Sequence, residues 1–403
     1  MVIPFDHIYP PMNGGMLRCF NLLNQLCKHF NVTALMHQDK ESFLQSASEF
    51  PAIKNCNLLS TKDNEPAKGL ISLIPSKFRE PMQFRIWNRS MAEPTDSNYM
   101  LLYPKMKEFL QSNEVNCVIL EDMAILSLAK LVRRFHPNVP VIYDAYNVNS
   151  VLSHTAMENG VIPQKEYEYI LQAESTLFKK IDQVLTCSEN DLKQLTRMNE
   201  GKISGMVIPN GVGIPEADTE YMDPKLGNQE ILFCGSLDYF PNQEGLTWFC
   251  KEVFPFILNQ LPNAKLLVVG KGDPGKNLSD LLKYKSIVNY GKVPSVDIYY
   301  RQAALAIVPL LSGSGTRLKL LESMALRTAV VSTSSGAEGI NYIDGKNIMI
   351  ADDAVCFADN VVMMLINPAR AKEVALNAYE LVKKNYDWNI IGKKLSNFIL
   401  GLN

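Results

Sequence analysis

Three charged side chains at helical spacing follow a glycine-rich turn in the second half of the chain. Arg317, Lys319 and Glu322 come directly after the run SGSGT. A helix that begins after such a turn presents unpaired backbone amides at its N-terminus, where they favour an anion. Arginine and lysine in the first turn oppose the helix dipole, which prefers acids there. The pattern therefore indicates an anionic ligand such as a phosphate.

Glu322 lies three positions after Lys319 and so shares its side of the predicted helix, residues 316–326. A carboxylate one turn below a phosphate-binding turn can accept two hydrogen bonds from a ribose diol, as acidic residues do in dinucleotide folds. The alternative is an exposed pair of Lys319 and Glu322 on an ordinary helix of an α/β protein.

The glycine-rich turn is one of several loops that follow apolar runs typical of buried strands. The predicted strands of this half are 230–234, 264–269, 287–290, 305–310 and 329–333, each followed by a helical pattern. Their loops carry Gly235, Gly270 and Val293. Because the carboxyl ends of parallel strands share one sheet edge, we expect these loops to converge on a nucleotide there. Glycine is also frequent in such loops when no ligand binds.

The first half shows the same alternation of strand and helix. Gly14 and Gly15 lie between a predicted strand, residues 1–5, and a helix, residues 16–30, whose first turn carries Arg18. This arrangement is a weaker phosphate-type signal, with a plain turn as its alternative. Polar side chains follow another predicted strand, 139–145, at the sheet edge where α/β proteins bind ligands; they are Tyr146, Asn147 and His154.

The length of 403 residues favours two domains. Residues 210–229 are rich in Pro, Gly, Asn and Asp and are predicted to be a linker between an N-terminal domain, 1–209, and a C-terminal domain, 230–387. The last segment, 388–403, reads as an amphipathic helix with no strand after it, free to pack on another domain. The fold class predicted is α/β, with two doubly wound parallel sheets.

Composition excludes several classes of function. The net charge of −2 (40 basic against 42 acidic residues) provides no general field for nucleic acid. No apolar run is long enough to span a membrane, and the N-terminus lacks a signal-peptide pattern. The eight cysteines occur singly, without a CxxC pair, which predicts reduced thiols in a cytoplasmic protein and no zinc site.

One segment of the first half interleaves basic and aromatic residues: Lys77, Arg79, Phe84, Arg85, Trp87 and Arg89. Such a segment can lie on an anionic membrane surface or bind a phosphate-bearing lipid, which predicts peripheral contact with the inner face of the membrane. The alternative is a solvated helix whose arginines snorkel.

Several segments together resemble the GT-B glycosyltransferases of the retaining family-4 type (glycosyl transferases group 1). They are PPMNGGMLR, VLTCSENDL, VIPNGV, the GSGTRLK loop followed by Glu322, and the final tryptophan-containing helix. The resemblance spans essentially the whole chain. It implies two Rossmann-like domains facing across a cleft, a nucleotide-sugar donor held mainly by the second domain, and a last helix that crosses back onto the first.

The resemblance also implies roles for individual residues. Glu322 matches the glutamate that binds the donor ribose, and Arg317 and Lys319 match basic residues that hold the diphosphate. Gly14 and Gly15 match glycines that close over that diphosphate. Gly15 is also expected to be one of the catalytic groups. The remaining expected donor contacts are Gly313, Ser314, Gly315, Thr316 and Leu318, with Val293 near the base and Glu338 of the GAEGI loop near the sugar or acceptor.

Two departures from the family pattern bear on specificity. Ser314 stands where relatives often have a second glutamate that contacts the transferred sugar. Tyr146 stands where many relatives have a histidine beside the donor sugar, and His154 is a distant substitute. These changes leave the identity of the sugar open and also admit an inactive protein.

The expected reaction is transfer of a sugar, with retention and without an obligatory metal or cofactor, to a lipid-linked or saccharide acceptor for a bacterial cell-envelope polysaccharide or glycolipid. Arg317, Lys319 and the helix amides would stabilise the leaving diphosphate. Two alternatives remain: a nucleotide-sugar epimerase or hydrolase on the same fold, and a scaffold that binds the donor without turnover. A dehydrogenase is disfavoured because no strand is followed by GxGxxG with an acidic residue about twenty positions later.

Overall fold

The computed structural model describes residues 2–3, 8–9, 11, 14–61, 99–158, 160, 162–215, 228–312 and 317–402. Within this part the chain divides into two compact units. Met1–Ile208 with Ile391–Asn403 forms the first unit, and Pro209–Ile390 forms the second. The predicted linker lies within the range of the second unit, and its residues 216–227 lie outside the described part.

The first unit is built on a seven-stranded parallel sheet in the order β3-β2-β1-β4-β5-β6-β7. Its strands are β1 (Val2–Ile3), β2 (Thr33–Met36), β3 (Asn57–Ser60), β4 (Val118–Leu120), β5 (Val141–Ala145), β6 (Gln183–Thr186) and β7 (Ser204–Val207). Most of its strands are apolar runs buried on both faces, as a parallel sheet requires. The order reverses between β1 and β4, which makes this the switch point of the sheet.

Helices alternate with these strands. They are α1 (Gly14–Leu26), α2 (Lys40–Ser46), α3 (Tyr99–Ser112), α4 (Leu128–Phe135), α5 (Asn149–Glu158), α6 (Gln164–Glu174) and α7 (Glu189–Met198). Short 3₁₀ turns cover Pro51–Asn55, Met123–Ile125 and Leu177–Lys179. Helices α2 and α5 and strand β3 were not predicted; β3 and α2 lie in a stretch that shows poor periodicity.

The second unit has a six-stranded parallel sheet in the order β10-β9-β8-β11-β12-β13. Its strands are β8 (Glu230–Cys234), β9 (Lys265–Val269), β10 (Ile287–Gly291), β11 (Leu305–Val308), β12 (Val330–Ser332) and β13 (Met349–Ile350). The order reverses between β8 and β11, so a ligand is expected outside the carboxyl ends of these two strands.

The helices of this unit are α8 (Phe240–Trp248), α9 (Phe254–Gln260), α10 (Gly275–Leu281), α11 (Asp297–Gln302), α12 (Leu318–Ala325), α13 (Ala354–Ile366) and α14 (Pro368–Asn385). A π-helical turn, Phe249–Val253, joins α8 to α9, and a 3₁₀ turn covers Ser335–Ala337. The last helix, α15 (Trp388–Leu400), begins in the second unit and continues into the first. The prediction of two doubly wound α/β units is confirmed. All eight cysteines are free thiols, as predicted, although Cys356 is exposed.

Candidate functional site

The candidate site of the second unit lies at the switch point of its sheet. Gly235 follows β8 and the segment from Ser312 to Arg317 follows β11, so the loops of these neighbouring strands meet at one edge. Residues 313–316, which include the expected contacts Gly313, Ser314, Gly315 and Thr316, lie outside the described part. Both flanks of this turn are described, and they carry the side chains of interest.

Two glycines form a tight backbone layer beneath this edge. A Cβ at Gly270 would lie 1.8 Å from the carbonyl oxygen of Gly235, so no side chain fits between the loops after β8 and β9. A Cβ at Gly235 would in turn lie 2.8 Å from both the Lys319 Nζ and the Asn242 Nδ2. Glycine at both positions lets the Lys319 ammonium approach the main chain after β8.

The Lys319 ammonium has a defined place in this layer. Its Nζ donates a hydrogen bond to Asn242 Oδ1 at 2.5 Å and lies 4.8 Å from the centre of the Phe233 ring. Burial lowers the pKa of Lys319 to about 8, and the positive charge of Arg317 acts in the same direction. The group is thus a partly buried cation that is still largely charged at neutral pH.

Glu322 lies one turn further along α12 and is also partly buried. Burial, with the negative charge of Asp297 on α11 as a smaller cause, raises the pKa of its carboxyl group to about 7, and Lys319 opposes the shift. Lys319 donates its hydrogen bond to Asn242, and the side chains of Lys319 and Glu322 are both partly buried. The alternative of an exposed ion pair between them therefore does not apply.

Arg317 caps the start of α12 and is 6% exposed. Its Nε donates to the carbonyl oxygen of Ser335 at 3.3 Å, and its Nη2 lies 3.6 Å from the Glu338 Oε2. Arg317 and Glu338 are therefore neighbours across the turn that follows β12. Leu318, the first residue of α12, is partly buried.

Helix α8 also contacts the turn after β11. The Ser312 Oγ donates a hydrogen bond to Glu244 Oε2 at 2.6 Å. Gly245 packs so closely that a Cβ there would lie 2.3 Å from the carbonyl oxygen of Pro309. Sequence reasoning singled out neither Asn242 nor Glu244, because the PNQEG segment has no glycine-rich or charged pattern that marks it as part of a site.

Val293, expected near the base, is partly buried and packs against the apolar cluster of β8, β9 and α11. Nearby, Gly291 has a φ of 63°, a conformation that favours glycine, and it ends β10. The exposed Tyr290 ring lies 4.9 Å from the Tyr299 ring. The end of β10 and helix α11 therefore place two tyrosine rings in contact with each other.

The first unit has a buried charged cluster at its own switch point. Arg18 is 0% exposed, and its guanidinium donates to both oxygens of Asp144, at 2.7 and 2.8 Å, and to the carbonyl oxygen of Ile208 at 2.7 Å. The expectation that Arg18 offers its charge to a ligand is thereby corrected, because Asp144 takes that charge inside the unit. Gly14 and Gly15 begin α1 and are partly buried.

Glu121, which follows β4, belongs to the same cluster. It is 1% exposed and accepts a hydrogen bond from the Cys19 Sγ at 3.3 Å. Burial holds the pKa of Glu121 well above its usual range, and the charge of Asp144 adds to the shift, against the opposing effect of Arg18. The surroundings of Glu121 within this cluster therefore disfavour its ionised form.

The residues after β5 do not share one environment. The Tyr146 hydroxyl donates to the Asp122 carboxylate, and Asn147 is partly buried beside it in sequence. His154 lies on α5 with its side chain 47% exposed, its Nδ1 is 3.5 Å from Glu158 Oε2, and its ring meets that of Tyr167 edge to face. His154 is therefore a surface residue and is not part of the polar cluster at the sheet edge.

The described residues do not test two of the expectations, namely peripheral membrane contact and a reaction without a metal. The basic and aromatic segment, Lys77 to Arg89, lies outside the described residues. Within the described ranges no cluster of three metal-binding side chains occurs, and no helix has the length and apolar character needed to cross a membrane.

Comparison with known proteins finds a family model and several relatives that are similar to this chain. Residues 228–367, wholly inside the second unit, match the family model for glycosyl transferases group 1. The chain is 25% identical over 402 residues to an uncharacterized 44.6 kDa protein in the cps region of Klebsiella pneumoniae, covering 96% of each. It is 26% identical over 217 residues to the phosphatidyl-myo-inositol mannosyltransferase of Mycolicibacterium smegmatis, covering 51% of this chain and 54% of the relative.

Among solved structures, the Anabaena protein Alr3699/HepE in complex with UDP and glucose has a TM-score of 0.68 and 12% sequence identity, with 100% of both chains covered. At this identity the likeness concerns the fold. Together with the two parallel-sheet units, it shows that the chain has the GT-B fold.

Proposed function

We propose that the protein is a glycosyltransferase that moves a sugar from a nucleoside-diphosphate sugar to a saccharide or lipid-linked acceptor. The observation that supports it most is the partly buried Lys319 ammonium, held over the glycine backbone at the sheet switch point. The family match over residues 228–367 and the mannosyltransferase relative support the same class of reaction. The cps-region relative supports an acceptor in cell-surface polysaccharide synthesis.

The proposed chemistry follows from charge. The bond between the anomeric carbon and the β-phosphate oxygen breaks, and its electron pair stays on the phosphate. Lys319 and Arg317 oppose that developing negative charge in a partly buried site, where electrostatic stabilisation is stronger than in water. These two cations take the part that a divalent metal plays in other transferases, which is the basis for proposing a metal-independent reaction.

We further propose retention of configuration, in the manner of the family-4 type. The acceptor oxygen bonds to the anomeric carbon on the face that the phosphate leaves, and its proton passes to the departing phosphate. Glu322 accepts the ribose hydroxyls, so its role is to bind the donor rather than to attack the sugar. Gly14, Gly15, Tyr146 and Asn147 remain proposed contacts to donor or acceptor.

Identification of the nucleotide is the first experiment. Thermal unfolding is followed with UDP, GDP, ADP and dTDP, each with and without EDTA, because a ligand that binds the folded state raises the unfolding temperature. We expect one nucleotide series to stabilise the protein equally with and without EDTA. Absence of stabilisation by all four contradicts the donor site.

Product analysis then separates transfer from the alternatives. The matching nucleotide sugar is incubated with and without saccharide or polyprenyl-phosphate-linked acceptors. Acceptor-dependent release of nucleotide with an α-linked product from an α-linked donor is expected. Free sugar or an epimer formed without acceptor indicates a hydrolase or epimerase, and binding without turnover indicates a scaffold.

The lipid-linked form of the acceptor is proposed from the basic and aromatic segment alone. Co-sedimentation with phosphatidylglycerol vesicles is expected for the wild type and reduced when Lys77, Arg79, Arg85 and Arg89 are changed to Gln. Equal binding to neutral phosphatidylcholine vesicles contradicts this contact.

A further inference from the structure

Asn242 connects the Lys319 ammonium to the loop after β8. Its Oδ1 accepts the hydrogen bond from Lys319 at 2.5 Å, and its Nδ2 donates to the carbonyl oxygen of Ser236 at 2.7 Å. The side chain is 3% exposed, so both ends of the amide are used inside the protein. The Asn242 amide therefore has one orientation. If it were reversed, its NH₂ group would face the Lys319 ammonium, and two hydrogen-bond donors would meet.

The hydrogen bond between Lys319 and Asn242 lies at the sheet edge where the anionic donor is proposed to bind. The close approaches of Lys319 and Asn242 to Gly235 show that the ammonium lies directly against the main chain after β8. Lys319 is a long, flexible side chain, and Asn242 selects one of its rotamers. Without this contact the Lys319 side chain would sample several rotamers in the free protein. Binding of a ligand would then have to fix one of them, at a cost in conformational entropy.

We propose that Asn242 is a positioning residue of the donor site, which holds the Lys319 ammonium at Gly235 in the orientation that meets the donor diphosphate. This inference rests on the proposed function. Asparagine suits the role because its oxygen accepts an N–H without cancelling the positive charge. A carboxylate at the same place would orient the lysine equally well but would neutralise it and repel the phosphate.

Among the described residues, few charged or titratable groups act on the Lys319 ammonium. Arg317 and Glu322 belong to its own segment and Cys234 to β8, and Asn242 is the neutral neighbour on α8. Replacing Asn242 by Asp therefore adds one negative charge in direct contact with the ammonium. The pKa of Lys319 should rise by about one unit or more, since an opposite charge within about 4–6 Å favours the charged form.

Gln243 provides a matched control. It is the next residue on α8, and its Nε2 donates to the carbonyl oxygen of Leu237 at 2.7 Å, in the same loop that Asn242 holds. Both amides support the loop after β8, but the lysine contact belongs to Asn242. A merely structural role predicts the same consequences for both positions.

The test compares the wild type with Asn242→Leu, Asn242→Asp and Gln243→Ala in the full-length protein. In the free protein, acetylation of Lys319 by acetic anhydride is followed against pH by mass spectrometry of its peptide. We expect a midpoint near 8 in the wild type and in Gln243→Ala, and a higher midpoint in Asn242→Asp. An unchanged midpoint in Asn242→Asp overturns the proposed contact.

Binding of UDP, GDP, ADP and dTDP is measured on the same proteins by calorimetry. For the nucleotide that binds the wild type, we expect affinity about tenfold or more weaker in Asn242→Leu and Asn242→Asp, since hydrogen bonds to charged groups contribute about 1.5–3 kcal/mol. Gln243→Ala should stay within about twofold. Equal losses in Asn242→Leu and Gln243→Ala, or unaltered affinity in Asn242→Leu, overturn the positioning role alone. No binding by the wild type overturns the proposed function and this role together.

Discussion

The carboxyl group of Glu322 lies where its surroundings oppose its ionisation. Burial and the charge of Asp297 raise its pKa to about 7, while Lys319, four-fifths of a turn away on α12, lowers it. In its proposed role Glu322 accepts two ribose hydroxyls as a carboxylate, the form that predominates above that pKa. The second cation of the site, Lys319, loses its charge above a pKa of about 8. We therefore propose that ionised Glu322 and protonated Lys319, both required at the proposed donor site, coexist only in a narrow pH range.

Nucleotide affinity should follow this range. We expect it to rise from pH 6 to about 7.5, as Glu322 ionises, and to fall above about 8.5, as Lys319 deprotonates. In Glu322→Gln, which cannot ionise, the affinity should be weaker at pH 7.5 and the acidic limb should flatten to the dependence of the nucleotide itself. Calorimetry across this range checks the prediction, and an acidic limb that is identical in the two proteins contradicts it.

The same substitution has a consequence for stability. The folded protein raises the pKa of Glu322 and so favours its protonated form. The contribution of this group to stability is present below its pKa in the unfolded chain and is lost as pH rises through about 7. Glu322→Gln should therefore increase the free energy of unfolding at pH 8, by an amount on the order of 1 kcal/mol, and change it little at pH 5. Urea unfolding at the two pH values checks this, and a loss of stability at pH 8 contradicts it.

Residue types and spacing identified some of these groups and missed others. Arg317, Lys319 and Glu322 were singled out because charge in the first turns of a helix after glycines is a local pattern. Arg18 shows the same local pattern, but its partner Asp144 is 126 positions away in sequence, and the spacing near Arg18 cannot reveal such a partner. Asn242 was missed for the same reason, since its role depends on Lys319, 77 positions later.

At the scale of elements, α8 supports the connection from β11 to α12 at both ends. Asn242 contacts Lys319 after the glycine turn, Glu244 contacts Ser312 before it, and Gly245 packs on Pro309 where β11 ends. These residues lie within a single turn of one helix, so one element contacts both flanks of the turn.

The contact between Glu244 and Ser312 should affect donor binding more than stability. We expect Glu244→Ala and Ser312→Ala each to weaken nucleotide binding by about three- to tenfold, because the flank of the turn gains freedom that binding must remove. The double variant should be no weaker than either single variant, which a double-mutant cycle measures as coupling.

Glu252→Ala provides the control for this cycle. Glu252 is exposed in the π-helical turn after α8, so its removal should leave affinity and unfolding temperature unchanged. Additive losses in the double variant would show that the two side chains act independently.

The periodicity of the sequence predicted long elements better than short ones. The apolar runs of β8, β9 and β11 were correctly predicted as strands, because burial on both faces leaves a continuous signal. Strand β13 has two residues, too few for any period to be recognised. Helix α5 carries polar residues on most of its surface, so its sequence resembles a loop.

At the scale of the whole molecule, each unit places its polar cluster at the switch point of its own sheet. Arg18, Asp144 and Glu121 lie near the ends of β1, β4 and β5 in one unit, and Lys319 and Asn242 near the ends of β8 and β11 in the other. The two clusters differ in chemistry: the first has its charge paired internally, whereas the second holds a cation against a neutral amide. This difference supports the proposal that the second unit binds an anionic donor.

The last helix, α15, begins in the residue range of the second unit and ends in that of the first. Within the first unit it packs on α1 at Gly392, where a Cβ would lie 2.5 Å from the Gln25 Cβ and 2.7 Å from its Cγ. Alanine normally stabilises a helix interior relative to glycine by about 1 kcal/mol. At Gly392 the opposite sign is expected, because the near part of the Gln25 side chain cannot move away without shifting α1.

Gly392→Ala should therefore lower the free energy of unfolding by about 1–3 kcal/mol. Gly401→Ala is the control, since its Cβ would meet nothing closer than 3.5 Å, and it should change stability by no more than about 0.5 kcal/mol. Urea unfolding followed by tryptophan fluorescence and by circular dichroism measures both variants. Stabilisation by Gly392→Ala would mean that α15 is not fixed on α1, and the chain segment that returns to the first unit would then be only loosely held there.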